Sequence, residues 1–563
     1  MTLITSGEPR HGSPDSDRRP FVPRQLVLPD GLASGNPQII RRSKENRIVL
    51  IKPPLYTCES FGPIRSAQPL GIWQLGSYLQ SKGYDVKILD AVIEGWDNKT
   101  HLETGKPLDY PDTMRRRWES LRSEGPVGFL KRFPVTDRAG HIKRSIIRTG
   151  LAEDHILERV REINPGWIGI TIISTCEHRS AIDLAKRLHR EFPDSKIVAG
   201  GQHATDMAGE VLRDSEGSID FIVKGNGELA FQSLLEGRKP DRGLAYIDNG
   251  QLIEQPDSHL TPLDILPPLP PSLLSHIAYP FPNTHSYNTF GRKYTDFMFS
   301  FGCHKRCDFC RQGSVRDGYR HISLEQLRAQ LRLFKEYGYE ELILQDDSLL
   351  GGPKNDGKAF FFQAIKLFKE FGFHYHDNGG VEIEELDRES VEAILRLNDA
   401  RGEGRCTALY VPFNPRNLDD TRIVERYMTE KAEKLDLLKT LSANGIYVFV
   451  SGIWGHVNQD VGSMESDIQG YEALLDGRMA DQTVVLVLSY LPRTRDWAFR
   501  HHVMDMKDWE GFSIFVPHAG TGRTSFDDVN YMVLEAHRRL NRLQPHTEPW
   551  ACPFPPNVPE GWK

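Results

Sequence analysis

Three thiols fall within eight residues at Cys303, Cys307 and Cys310, in the run FGCHKRCDFCRQG. Their C-x3-C-x2-C spacing lets one short loop wrap a corner of a metal centre. Structural zinc nearly always takes four ligands, and an iron–sulfur cube normally takes four cysteines. Three thiolates on a cube leave one iron open for a small chelating ligand. A zinc site completed by His304 or Cys406 is the alternative that the spacing allows. Cys58, Cys176, Cys406 and Cys552 are scattered, and seven cysteines in 563 residues make no disulfide scaffold.

Further polar groups follow apolar runs. Gln345-Asp346-Asp347-Ser348 succeeds ELIL, and Glu382 and Glu384 stand in GGVEIEEL. Ser451-Gly452-Ile453-Trp454-Gly455 closes another apolar run. Each has a plainer reading: a helix cap for the aspartates, turns for the glycines, solvated groups for the glutamates. Gly225-x-Gly227-x-x-Ala230 superficially matches a dinucleotide fingerprint. That fingerprint belongs on a first strand–helix turn, whereas here it closes the last one before a linker.

The elements that must position these groups come from the periodicity. Residues 1–43 are rich in Pro, Gly, Ser, Asp and Arg and read as a disordered arm. From RIVLI at Arg47 to Glu236, strand and helix alternate about five times around a polar, Arg-rich insertion at 95–150. Burial on both faces is expected of such runs, so the spacing predicts a doubly wound, Rossmann-like parallel sheet over 44–245. Its ligand loops would lie at the carboxyl ends of the strands.

Residues 246–290 read as a Pro-rich linker. Strand–helix units then resume over 291–495, with strands expected at 296–301, 341–345, 380–384, 407–411, 447–453 and 483–490. Six units make a partial (β/α)6 barrel. Residues 496–563 read as a small C-terminal cap.

Net charge is -7 with pI ≈ 6.3, so no global positive field points to nucleic acid. No apolar run spans a membrane, and the N-terminus lacks the apolar core of a signal peptide, so a cytoplasmic enzyme is expected.

The run Cys303-His-Lys-Arg-Cys307-Asp-Phe309-Cys310 resembles the radical S-adenosylmethionine (SAM) signature, C-x3-C-x-aromatic-C. The resemblance implies a 4Fe–4S cluster on the three cysteines, with the amino and carboxylate groups of SAM on the open iron. It places Phe309, Gln345, Asp346, Asp347, Glu382, Glu384, Ser451, Gly452 and Ile453 along SAM. Leu491-Pro492-Arg493-Thr494 resembles the family's Pro-Gly-Thr turn, with Arg at the Gly position.

The first domain resembles the cobalamin-binding domain that precedes many radical SAM domains. The resemblance rests on KPPLYTCESFGP, ITIIST, VAGGQHAT and FIVKGNGE. It implies corrin contacts from Thr57, Cys58, Glu59, Ser60, Ser174, Thr175, Gly200, Gly201, His203, Gly225, Asn226, Gly227 and Glu228. Glycines there would let backbone N–H groups approach the corrin amides closely. A D-x-H-x-x-G motif is absent from the sequence, so His203 is expected to be a loop hydrogen-bonder.

Together the domains resemble the cobalamin-dependent, class B radical SAM methyltransferases. These use methylcobalamin, a small-molecule substrate and a one-electron donor of flavodoxin or ferredoxin type. Length and layout are most like the fosfomycin-pathway C-methyltransferases, which act on cytidylyl-2-hydroxyethylphosphonate. Such a phosphonate would need cations and donors near the barrel mouth. Arg311, Arg316, Arg320, Asn414, Arg416 and Asn417 are the candidates. A cobalamin-dependent cyclase, oxidase or phosphorus methylase, or a zinc-binding module, remains open at this point.

Overall fold

The computed structural model describes residues 43–58, 67–134, 145–279, 292–312, 318–352, 356–398, 404–413, 421–500, 508–512, 517 and 519–544. The expected arm, and the candidates Glu59, Ser60, Arg316, Asn414, Arg416 and Asn417, lie outside them.

A first sheet has seven strands. Five are parallel: β1 (Arg47–Lys52), β3 (Asp85–Asp90), β6 (Trp167–Thr171), β7 (Lys196–Gly200) and β8 (Phe221–Val223). The strand order 3-1-6-7-8 puts the topological switch point between β1 and β6. Strand β1 shows why the sheet forms. Ile48 and Leu50 enter one core, Val49 and Ile51 the other, as the period of two requires. A hairpin, β9 (Leu244–Asp248) and β10 (Gln251–Glu254), then extends this sheet antiparallel to β8. The sheet therefore runs on to Glu254, past the expected boundary at 245.

The described residues of the Arg-rich insertion form regular elements. Strands β4 (Lys99–His101) and β5 (Ile146–Thr149) join β2 (Leu55–Cys58) in a small antiparallel sheet. A helix, Tyr110–Arg132, packs through Trp118, Leu121 and Phe129 on Leu534 of the C-terminal helix Phe526–Leu543.

The second large sheet has six parallel strands in sequence order: β11 (Tyr294–Phe297), β14 (Glu341–Leu344), β15 (His374–Asp377), β16 (Cys406–Phe413), β17 (Tyr447–Trp454) and β18 (Gln482–Val487). A short pair, β12 (Ser300–Phe301) and β13 (Arg320–His321), leads into and out of the cysteine loop. Caps fix the helices between strands. Ser323 and Gln326 form a reciprocal box at the start of Leu324–Glu336, and Gly372, at φ 68°, ends Gly357–Phe371. Beyond β18, Gln544 exchanges two hydrogen bonds with the backbone of Thr483 and covers the sheet edge.

One strand departs from expectation. The third strand is His374–Asp377, and 380–384 forms the loop after it. Alternation in VEIEE mimics a strand, while HYHD reads as polar although its last three residues are buried.

The Pro-rich segment is also more than a spacer. Trp73 Nε1 donates to Pro270 O at 3.0 Å, Ser77 Oγ to Pro268 O at 2.8 Å, and Gln330 exchanges two hydrogen bonds with the Leu269 backbone. Leu269, Leu273, Leu274 and Ile277 are buried, in a core continuous with that of the second sheet. Among the described residues no helix is long and apolar enough to cross a membrane.

Candidate functional site

The carboxyl edges of the two parallel sheets face each other. Gln68, at the start of the helical segment after β2, donates its N–H to Asp296 Oδ2 on β11 at 2.8 Å and accepts from Asp296 N at 2.8 Å. Gln345 Nε2 donates to the other Asp296 oxygen at 2.7 Å, and Asn378 Nδ2 to Gln345 Oε1 at 3.0 Å. Across the gap, Arg311 grips Asp206.

The cysteine loop is held from beneath by two aspartates. Asp346 Oδ1 accepts from Phe299 N, Ser300 N and Ser300 Oγ at 3.2, 2.7 and 2.5 Å, and Asp347 Oδ2 accepts from Gly302 N at 3.0 Å. Asp346 Oδ1 and Asp347 Oδ2 are thus spent on the loop, while Asp346, fully buried, keeps its Oδ2 without a hydrogen-bond partner. Cys303, Cys307 and Cys310 are half-buried on that loop. Burial pushes the Cys303 thiol up to about 11 and Cys307 up to about 12. A bound cationic centre would reverse that by stabilising thiolate.

Lys305, between the first two cysteines, donates its N–H to Cys303 Sγ at 3.4 Å and pairs its ammonium with Glu382 and with Glu385, the latter at 2.9 Å. Glu382 thus meets the cysteine loop through Lys305, while Glu384 accepts from Tyr427 OH at 3.1 Å and is turned to a helix.

Phe309 and Ile453 come together in one apolar cluster. Met207 from the first domain, Leu488 and Tyr490 from beyond β18, and Trp509 and Phe512 from the C-terminal region complete it. Ser451 Oγ bonds Tyr410 OH at 2.6 Å. Gly452 lies directly under the Tyr471 hydroxyl, where a Cβ would clash. Arg493, at the Gly position of the expected turn, takes φ 61°, a conformation glycine favours. Its ion pair with Asp257 at 3.0 Å helps to hold it there.

On the first sheet the expected corrin residues at 174–175, 200–203 and 225–228 follow the carboxyl ends of β6, β7 and β8, while Thr57 and Cys58 end β2 of the small antiparallel sheet. Ser174 and Glu177 cap the turn after β6. Gly201, at φ 99°, passes so close to Ile172 O that no side chain fits. Thr205 Oγ1 accepts from Gly225 N at 3.0 Å, and Ser258 and Thr261 fix Asn226 and Glu228. Thr175 is buried, and Cys58 Sγ donates to Glu510 O at 3.0 Å. His203 Nε2 lies 2.9 Å from His178 Nδ1, whose Nε2 lies 3.0 Å from Asp214; Trp509 stacks on His178. Burial drives His203 down to about 3, so it is neutral.

The donor sets fit the groups that the sequence implies. A corrin would find Ile173, an apolar residue 43% exposed at the switch-point edge, together with the unpartnered buried atoms Thr57 Oγ1 and His203 Nδ1. The polar end of SAM would find the unpartnered buried Asp377 Oδ2 and Asn378 Oδ1. A cluster would find three cysteines on one anchored loop.

The substrate candidates fare differently. Arg311 is committed to Asp206, while Arg320 Nη1 donates to Thr261 O at 3.1 Å and its buried Nε has no hydrogen-bond partner. Sequence reasoning missed Asp206, Lys305 and Trp509. Only Lys305 had a local signal, its place between two ligand cysteines.

Asp377 also yields a stability prediction. Burial raises its carboxyl to about 8, against about 4 in an unfolded chain. Between those pH values the folded state holds a proton that the unfolded state releases, so stability falls as pH rises through the window. Thermal melts from pH 4 to 8 should show this fall in the wild type, on the order of a few kcal/mol. Asp377→Asn should make it shallower, since buried Asp346, Asp467 and Asp296 are raised in the same window and keep part of the slope, and equal slopes would contradict the assignment.

Comparison with known proteins agrees with this layout. Residues 136–235 match the B12 binding domain and residues 297–468 the Radical SAM superfamily. The cytidylyl-2-hydroxyethylphosphonate methyltransferase of Streptomyces wedmorensis is 25% identical over 403 residues, covering 64% of each chain. An uncharacterized methyltransferase of Pyrococcus horikoshii is 24% identical over 386 residues, covering 65% of this chain and 78% of that one. The anaerobic magnesium-protoporphyrin IX monomethyl ester cyclase of a Synechocystis strain is 24% identical over 313 residues, covering 54% of this chain and 50% of its own. The chain thus spans just under two thirds of the first relative's length. It carries a cobalamin-binding domain followed by a radical SAM domain, and its cofactors are those of enzymes that join the two: a 4Fe–4S cluster, SAM and cobalamin.

Proposed function

We propose that this chain is a cobalamin-dependent radical SAM methyltransferase that delivers a methyl group to an unactivated carbon of a small biosynthetic intermediate. The observation that carries the reading is the apolar cluster shared by both carboxyl edges, in which Phe309 and Ile453 meet Met207 beside Trp509. When bound, the cofactors supply one-electron cleavage of SAM and a transferable methyl group. The chain's own part is geometric. Asp346 and Asp347 fix the start of the cysteine loop, Lys305 and Glu382 flank it with paired charge, and Trp509 and Phe512 keep water from the gap.

For the substrate we take the class of nucleotide-linked phosphonates, with cytidylyl-2-hydroxyethylphosphonate as the compound to test. Support comes from the Streptomyces relative. With Arg311 engaged by Asp206, Arg316, Arg320, Asn414, Arg416 and Asn417 are the residues to substitute first. The test is anaerobic incubation of reconstituted protein with cobalamin, a strong reductant, SAM and this compound, followed by mass spectrometry. A methylated product with equal S-adenosylhomocysteine and 5′-deoxyadenosine is expected. A cyclase or oxidase would form 5′-deoxyadenosine alone, which would refute methyl transfer.

A further inference from the structure

Asp206 and Arg311 meet between the two halves of the molecule. Arg311 Nε reaches Asp206 Oδ2 and Nη2 reaches Oδ1, each at 2.5 Å, with both side chains under a tenth exposed. Arg493 adds a second cation, its Nε 3.6 Å from Asp206 Oδ1 and its Nη2 donating to Thr205 O at 3.1 Å.

The ends of this pair attach to different cofactor loops. Arg311 follows Cys310 directly in the chain. Asp206 closes the helix Gln202–Asp206, which begins beside Gly201 and carries His203. Thr205, its neighbour, ties that helix to the Gly225 loop. One rigid contact therefore joins the cysteine loop to two loops of the cobalamin-binding sheet. A bidentate guanidinium–carboxylate pair has a narrow geometry. Once buried it is either made or broken, because a broken pair strands a charge out of water.

We propose that Asp206 and Arg311 are positioning residues that couple the two cofactor sites, so that assembly of the cluster tightens cobalamin binding. The proposal rests on the cofactor placement argued above. Coupling of this kind is reciprocal: cobalamin should stabilise the loaded cysteine loop by the same factor. Neither residue touches a reacting atom; each acts by holding a loop.

The test measures cobalamin affinity by quenching of tryptophan fluorescence, in full-length protein with and without anaerobic reconstitution of the cluster. Wild type, Asp206→Asn and Arg311→Lys are compared. The wild type should bind cobalamin about tenfold more tightly once the cluster is built, within the usual range of such couplings. Both variants should still load iron and cobalamin, with the ratio near one. A variant that misfolds is replaced by a wild-type measurement: the electron paramagnetic resonance signal of the reduced cluster should shift when cobalamin is added. An unchanged ratio in a folded variant, a ratio of one in the wild type, or a signal indifferent to cobalamin would overturn the proposal. Failure of the functional reading looks different, since then wild-type protein would bind no cluster or no cobalamin at all.

Discussion

Cys307→Ala is expected to lose the cluster's absorbance and to form no detectable 5′-deoxyadenosine, while still binding cobalamin as the cluster-free wild type does. The reason is that the thiols do not hold the loop. Asp346 fixes Phe299 and Ser300, Asp347 fixes Gly302, and Arg311 is anchored to Asp206 on the far side. Within the loop, a single backbone bond from Cys310 N to Cys307 O at 3.1 Å survives removal of a side chain. Loss of one thiolate leaves two, which do not retain a cube. Thermal stability of the metal-free variant should match that of the metal-free wild type. Loss of cobalamin below that cluster-free level would contradict the division of labour between the two sheets.

Trp73→Ala is expected to destabilise the protein by about 3–5 kcal/mol, the range for removing a buried aromatic side chain. Trp73 is fully buried on the helix Leu70–Ser81, its ring 6.2 Å from Phe334 of the second domain, and it also holds Pro270. The residue pins three segments together, so the cavity left by alanine cannot collapse from one side. Trp73→Phe keeps most of the volume and loses the hydrogen bond, so its loss should stay near 1 kcal/mol. Denaturant unfolding measures both. A Trp73→Ala loss below about 1 kcal/mol would show that the contact with the Pro-rich segment adds no stability.

Much of this was legible because it is local. The alternation in RIVLI and the cysteine spacing are set by residues a few positions apart, and there sequence and structure agree in kind. Strand β15 escaped because its polar residues are buried by neighbours that the sequence does not bring together until it folds. Arg311 was read as a substrate cation because its partner lies 105 residues away. A still longer separation in the chain hid the stack of Trp509 on His178. The Pro-rich segment looked like a spacer because proline signals an end to regular structure. It does not signal burial of the leucines between.

Under the proposed function one chain supports two reactions on SAM. This is tested most directly by chromatography of the small molecules released when protein carrying both cluster and cobalamin meets SAM under strong reductant. S-adenosylhomocysteine and 5′-deoxyadenosine are expected together, the second vanishing in Cys307→Ala. Fully loaded protein that releases neither, or that releases 5′-deoxyadenosine equally well without its cysteines, would contradict it.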